Sequence, residues 1–98
     1  MTDIRVFITL LQKRSVNFMT CNDLDCMDQN LGSLITTMEH FVNEGSKEAK
    51  KIKKNMAKLK IYVEREKIEV HKAKEEFEHI AKEIAEFVHE ILQQSNSE

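Results

Sequence analysis

The chain has 98 residues, with 15 Lys and Arg against 17 Asp and Glu, and a formal net charge of −2 at pH 7. Charged residues make up 33% of it and apolar residues 41%, which is too apolar for a disordered tail and too charged for a membrane protein. A chain of this length forms one small domain at most.

Turn-forming residues are scarce. The chain contains two glycines and no proline, whereas an all-β protein needs a turn about every 8–12 residues and draws on Gly, Pro, Asn and Asp to make it. Long helices with few breaks are therefore expected, and the predicted fold class is all-α.

The N-terminal apolar run covers only residues 6–11. A membrane span needs roughly 20 apolar residues, and a signal peptide needs a small-residue cleavage site after its apolar region. The run meets neither requirement, so we expect a cytoplasmic protein, or one secreted without a cleaved signal peptide.

The first half of the chain has apolar residues at steps of three and four, which predicts a helix over about residues 5–43. Residues 4–11 are rich in β-branched types, so an irregular start before residue 24 stays open. The periodic residues are Leu24, Met27, Leu31, Leu34, Met38 and Phe41, roughly extended backwards by Ile4, Phe7, Leu11 and Phe18.

Cys21 and Cys26 are five positions apart. On one helix they would point about 140° apart, with Cα atoms beyond the roughly 7 Å that a disulfide tolerates. Two reduced thiols are therefore expected, and the absence of a C-x-x-C pair argues against a zinc or thioredoxin-type site.

The hinge between the two halves is predicted at Asn43, Glu44, Gly45 and Ser46. Glycine suits the left-handed residue that ends a helix, and serine suits the N-cap of the next helix.

The second half shows the clearest pattern, a heptad seam that predicts one long amphipathic helix over residues 46–93, followed by a short tail at 94–98. Glu66 is the one interruption. The seam consists of Ile52, Met56, Leu59, Val63, Val70, Ala73, Phe77, Ile80, Ile84, Phe87 and Ile91.

Two such helices joined by a tight link predict an antiparallel two-helix hairpin. A second apolar stripe beside the seam widens its buried face near the C-terminus and favours packing into a larger helical bundle. That stripe contains Ala81, Ala85, Val88 and Leu92. The residues predicted to bind a partner are Leu59, Val63, Val70, Phe77, Ile80, Ile84, Phe87, Val88 and Ile91.

Charge is distributed unevenly along the second half. Residues 47–60 contain seven lysines and one glutamate, whereas residues 61–98 contain five basic residues and ten glutamates. This order opposes the helix dipole, which favours acidic residues at the start of a helix and basic residues at its end. We therefore expect these charges to interact with a neighbouring helix or a partner. A hetero-complex is favoured over a homodimer, and parallel and antiparallel association both remain open.

Other chemistries find little support in the sequence. Glu76 and His79, like Glu86 and His89, have the Glu-x-x-His spacing of di-iron bundles, but those sites draw on different helices and here both pairs lie on one. There is no phosphate loop and no nucleophile elbow. No catalytic residue, metal, cofactor, nucleic acid, membrane or small-molecule substrate is therefore predicted.

In length, layout and the stretch Asn43-Glu44-Gly45-Ser46-Lys47-Glu48-Ala49, together with the opening Ile4-Arg5-Val6, the chain resembles the Trp-x-Gly helical-hairpin proteins of type VII (ESX) secretion. Asn43 stands in place of the family's tryptophan, which some small relatives that accompany LXG-type toxins also lack. The family's export signal, an aromatic residue followed four positions later by an acid, has no match after the second helix.

The resemblance implies a non-enzymatic targeting or chaperone partner that binds the helical N-terminal domain of a secreted toxin. The alternative is a cytosolic coiled-coil adaptor or complex subunit with no export role. Both place function on an apolar helical face.

Overall fold

The computed structural model describes residues 4–41 and 46–96 of the chain, with side chains described up to residue 93. Within these residues the protein is all-α, as predicted, and no strand is present. The predicted two-helix hairpin is wrong, because each half of the chain contains two helices. These are α1 (Ile4–Met19), α2 (Leu24–Phe41), α3 (Lys47–Glu64) and α4 (Val70–Asn96).

The first predicted helix is divided by a turn over residues 20–23. This turn has the sequence Thr-Cys-Asn-Asp, whose polar side chains form local hydrogen bonds more readily than they continue a helix. The Asp23 carboxylate accepts a hydrogen bond from the Cys26 amide at 2.8 Å and so caps the start of α2.

Cys21 and Cys26 form a disulfide, so the prediction of two reduced thiols is wrong. That prediction assumed a shared helix, whereas Cys21 lies in the turn and Cys26 in the first turn of α2. Because Cys21 lies outside the helix, the two Cα atoms are 5.7 Å apart, which is within the range that a disulfide spans. The Asn30 side chain donates to the Cys26 carbonyl at 2.9 Å and to Cys21 Sγ at 3.4 Å.

Three residues of the predicted hinge, Asn43, Glu44 and Gly45, lie outside the described residues. Ser46 is the N-cap of α3, as its residue type predicts: its backbone is extended and its hydroxyl accepts from the Ala49 amide at 3.2 Å.

The predicted long helix over residues 46–93 is interrupted between α3 and α4. The interruption is a Schellman motif: the Lys67 amide donates to the Tyr62 carbonyl at 2.9 Å, and the Glu66 amide donates to the Val63 carbonyl at 3.1 Å. Glu66 has the left-handed φ of 56° that this motif requires. The single break in the heptad seam is therefore the position at which the chain leaves the helix.

The helices form an antiparallel bundle with extents of 45 × 23 × 20 Å. Successive helices pack against each other along the chain, and α4 returns to α1 through two aromatic pairs. Phe18 stacks on Phe77 at 4.4 Å, and Phe7 meets Phe87 edge to face at 6.4 Å. The core is made of the apolar stripes of all four helices: Phe7, Leu11, Phe18, Met27, Leu31, Leu34, Met38, Ala49, Ile52, Met56, Leu59, Val63, Ala73, Phe77, Ile80, Ile84 and Phe87, with Cys21.

Candidate interaction surface

A groove of about 670 Å³ runs along the outside of the α3 and α4 pair and over the loop that joins them. Its floor includes Leu59 of α3 and Ile80 of α4, both buried. The groove exists because the Schellman turn folds α4 back beside α3, leaving a furrow between two antiparallel helices. It is lined by Asn55, Lys58, Leu59, Tyr62, Lys67, Ile68, Lys72, Glu76, His79, Ile80 and Glu83.

Apolar side chains stand exposed at the loop end of this groove. Tyr62 lines the groove with 53% of its surface exposed. Ile68 of the joining loop is half-buried and contributes a further apolar surface. Exposed aromatic and aliphatic groups beside a buried apolar floor are typical of protein-binding surfaces.

The charged groups at the two ends of the groove differ in how they are paired. At the far end, the Glu83 carboxylate accepts from Asn55 at 2.8 Å and forms an ion pair with Lys51 at 3.4 Å. By contrast, Lys58 and Lys67 are in no ion pair with any residue that the structure describes. The groove therefore carries two cations that an acidic ligand can approach.

Lys60 projects from α3 toward α2 rather than into the groove. Its ammonium lies 3.0 Å from Asp28 of α2 and 3.1 Å from Glu64 one turn along α3. These two carboxylates, Asp28 foremost, raise the pKa of Lys60 above its ordinary value of 10.5. The pair links α3 to α2 beside the groove.

The nine residues predicted to bind a partner occupy different environments. Leu59 and Ile80 form the groove floor, and Val70, Val88 and Ile91 are half-buried at the edge of the core. The other four are buried inside this chain: Val63, Phe77, Ile84 and Phe87. Packing within the chain therefore already covers most of the seam, and whether a partner also uses it stays a prediction.

The second apolar stripe is divided between the core and the surface. Ala81 and Val88 pack partly against the core, whereas Ala85 is exposed and Leu92 is 43% exposed. The widened face is thus used in part by the other helices of the same chain, as expected where more than one helix packs.

Sequence reasoning did not single out the groove. The heptad pattern places Tyr62 beside the seam at a g position, but it gives no sign that α4 folds back next to it. The one sequence signal for the groove is that Tyr62 is aromatic, whereas the g positions that follow it along the chain are all glutamates.

The described histidines do not assemble into a metal site. His79 lines the groove, and His89 pairs with Gln93 at 3.0 Å on the outer face of α4. Nowhere in residues 4–41 and 46–96 do three His, Cys, Asp or Glu side chains group so as to hold a metal ion.

Among the described residues, no helix combines the length and the hydropathy that a membrane span requires. Comparison of the chain with protein-family models, with curated proteins and with solved structures finds no match.

Proposed function

We propose that this protein is a non-enzymatic protein-protein interaction module whose α3 and α4 groove binds an amphipathic helix of another protein. The observation that carries the proposal is the combination at the loop end of the groove: the half-exposed Tyr62 above the floor of Leu59 and Ile80, flanked by the unpaired Lys58 and Lys67.

A helix fits this surface for physical reasons. A furrow between two antiparallel helices accepts a third helix whose apolar residues recur every three or four positions. Burying Tyr62 supplies a large contact area for little loss of side-chain freedom, which makes tyrosine a common anchor of interfaces. Lys58 and Lys67 favour an acidic residue beside that apolar stripe.

The type VII role is a narrower form of the same proposal, in which the partner is the helical N-terminal domain of a secreted toxin. Support comes from the resemblance over residues 43–49 and from the Cys21–Cys26 disulfide, since disulfides persist in oxidising compartments. The helix layout does not support this role, because the resemblance implies a two-helix hairpin and the described residues form four helices. The alternative remains an adaptor or complex subunit with no export role.

The test is an affinity pull-down from the native cells with matched variants, followed by mass spectrometry. Tyr62→Glu places a charge in the groove, and Val16→Glu places the same charge at a 61% exposed position on α1. We expect the wild type and Val16→Glu to retain one helical partner and Tyr62→Glu to lose it. Equal recovery by both variants would refute the groove as the binding site.

The identity of that partner separates the two narrower roles. A large protein with a helical N-terminal domain and a toxin-like remainder supports targeting for export, whereas a cytosolic complex supports the adaptor. Recovery of nothing but copies of this chain would discard both in favour of self-association.

A further inference from the structure

The loop between α3 and α4 is built from residues that favour helix. Residues 64–69 read Glu-Arg-Glu-Lys-Ile-Glu, without the Gly, Asn, Ser or Pro that normally end a helix. Glu66 nevertheless adopts a φ of 56°, which non-glycine residues rarely occupy. The local sequence and the observed turn therefore disagree, which marks a segment that the rest of the structure forces into shape.

The apolar register continues across this loop without a shift. Val63 and Val70 are seven positions apart, on either side of the turn, and the seam keeps its heptad spacing through α3 and through α4. Two helices joined by a turn have no need to share one register. A shared register means that straightening residues 65–69 would place both buried seams on one face of a single helix.

The straightened loop would also gain ordinary helical contacts. Arg65 and Glu69 would face each other at i and i+4, and Glu64 and Lys67 at i and i+3, with opposite charges in both pairs. The Schellman hydrogen bonds would be replaced by the backbone bonds of a continuous helix. Arg65, Glu66, Lys67 and Glu69 are all exposed, so Ile68 is the one hinge residue whose packing against the core would change.

We propose that residues 65–69 are a hinge through which two copies of this chain exchange α4, forming a domain-swapped dimer in which α3 and α4 are one helix. Each α4 then occupies, in the second copy, the position that it has here in its own chain. The contacts of α4, including Phe18 with Phe77 and Lys51 with Glu83, recur between chains. The inference is independent of the proposed partner and is tested without one.

The first test identifies which chain supplies α4. Equal amounts of ¹⁴N-labelled and ¹⁵N-labelled protein are unfolded together, refolded at high concentration, and separated by size exclusion with light scattering. The dimer is then treated with a carbodiimide, which joins the ammonium of Lys51 to the carboxylate of Glu83, atoms that lie 3.4 Å apart.

Because chains mix at random, we expect about half of the cross-linked Lys51–Glu83 peptides from the dimer to carry one label of each kind. A dimer formed by surface docking keeps this pair within each chain and gives only uniformly labelled peptides. That result, or the absence of a dimer at millimolar protein, would overturn the proposal.

The second test changes the hinge itself. Glu66→Gly removes the cost of a positive φ in the monomer and destabilises the continuous helix of the dimer. Glu66→Ala keeps a good helix former and still bears the cost of a positive φ in the monomer. Each dimer contains two hinges, and glycine should shift the equilibrium at each hinge from the continuous helix toward the turn by roughly fivefold or more. The dissociation constant of Glu66→Gly should therefore rise at least about 25-fold.

Glu66→Ala should dimerise at least as tightly as the wild type. Circular dichroism serves as the folding check, and we expect both variants to keep the helical content of the wild type. Equal dissociation constants for Glu66→Gly, Glu66→Ala and the wild type would show that the hinge does not control association and would refute the exchange.

Discussion

Phe18 of α1 stacks on Phe77 of α4 with ring centroids 4.4 Å apart and ring planes inclined by 28°. The two residues are 59 positions apart in the chain, and both are fully buried. Together with Phe7 and Phe87, they are the aromatic contacts that join the last helix to the first. The bundle therefore closes through a few large side chains, which makes each of them important for stability.

We expect Phe77→Ala to lower the free energy of unfolding by about 3–5 kcal/mol, because it removes a buried ring and leaves a cavity against Phe18. The milder Phe77→Leu should lower it by about 1–2 kcal/mol. Urea unfolding followed by circular dichroism measures both. Tyr62→Ala, at an exposed aromatic, is the control and should change stability by under about 0.5 kcal/mol. A Phe77→Ala effect as small as that of the control would contradict the packing of α4 on α1.

The ion pair between Lys60 and Asp28 predicts a loss of stability in alkali. The pKa of Lys60 is raised in the folded protein above its unfolded value of 10.5. The contribution of Lys60 to the free energy of unfolding is therefore fully present below pH 10.5 and disappears as the pH rises through the folded pKa. Lys60→Met should therefore be destabilised by about 0.5–1 kcal/mol at pH 7, and its difference from the wild type should shrink above about pH 10.5.

The pH dependence is measured by urea unfolding between pH 7 and pH 11.5. Lys58→Met is the matched control, since Lys58 lies in no ion pair within the described residues and should show no such convergence. A constant difference between wild type and Lys60→Met across this range would show that the pair does not couple to folding.

The disulfide between Cys21 and Cys26 predicts that reduction weakens the turn between α1 and α2. Closing so short a loop stabilises the folded state by about 2 kcal/mol in the chain-entropy description. Protein purified without reductant should show no free thiol when denatured, and reduction should lower its melting temperature toward that of the Cys21→Ser/Cys26→Ser variant. Two reactive thiols in the denatured, unreduced protein would contradict the bond.

Gly32 offers a stabilising substitution. It lies inside α2, and a Cβ there would meet only the Cε atom of Lys60, at an ordinary contact distance of 3.6 Å. Alanine has a higher helix propensity than glycine, so Gly32→Ala should raise the free energy of unfolding by about 0.5–1 kcal/mol. A lower melting temperature in this variant would mean that α2 and α3 approach more closely than the structure shows.

Local sequence signals predict the helix cap and the apolar faces, but not the break after Glu64 or the disulfide. Ser46 caps α3, and most of the periodic residues of the four helices are buried, because capping and helical periodicity are local properties. Local propensity does not predict the break after Glu64, because Arg65, Glu66 and Lys67 are good helix formers. Helix geometry does not predict the disulfide, because α1 ends at Met19 and Cys21 and Cys26 share no helix.

Helical periodicity is enough to predict that this protein is helical and which faces of the chain are apolar, and it marks Glu66 as the break in the seam. Three other features depend on tertiary packing: the chain turns back at Glu66, α4 packs on α1 through Phe18 and Phe77, and Tyr62 lines a groove. The physical reason is that periodicity records which face of a helix is apolar, whereas the partner of that face depends on packing across the whole bundle.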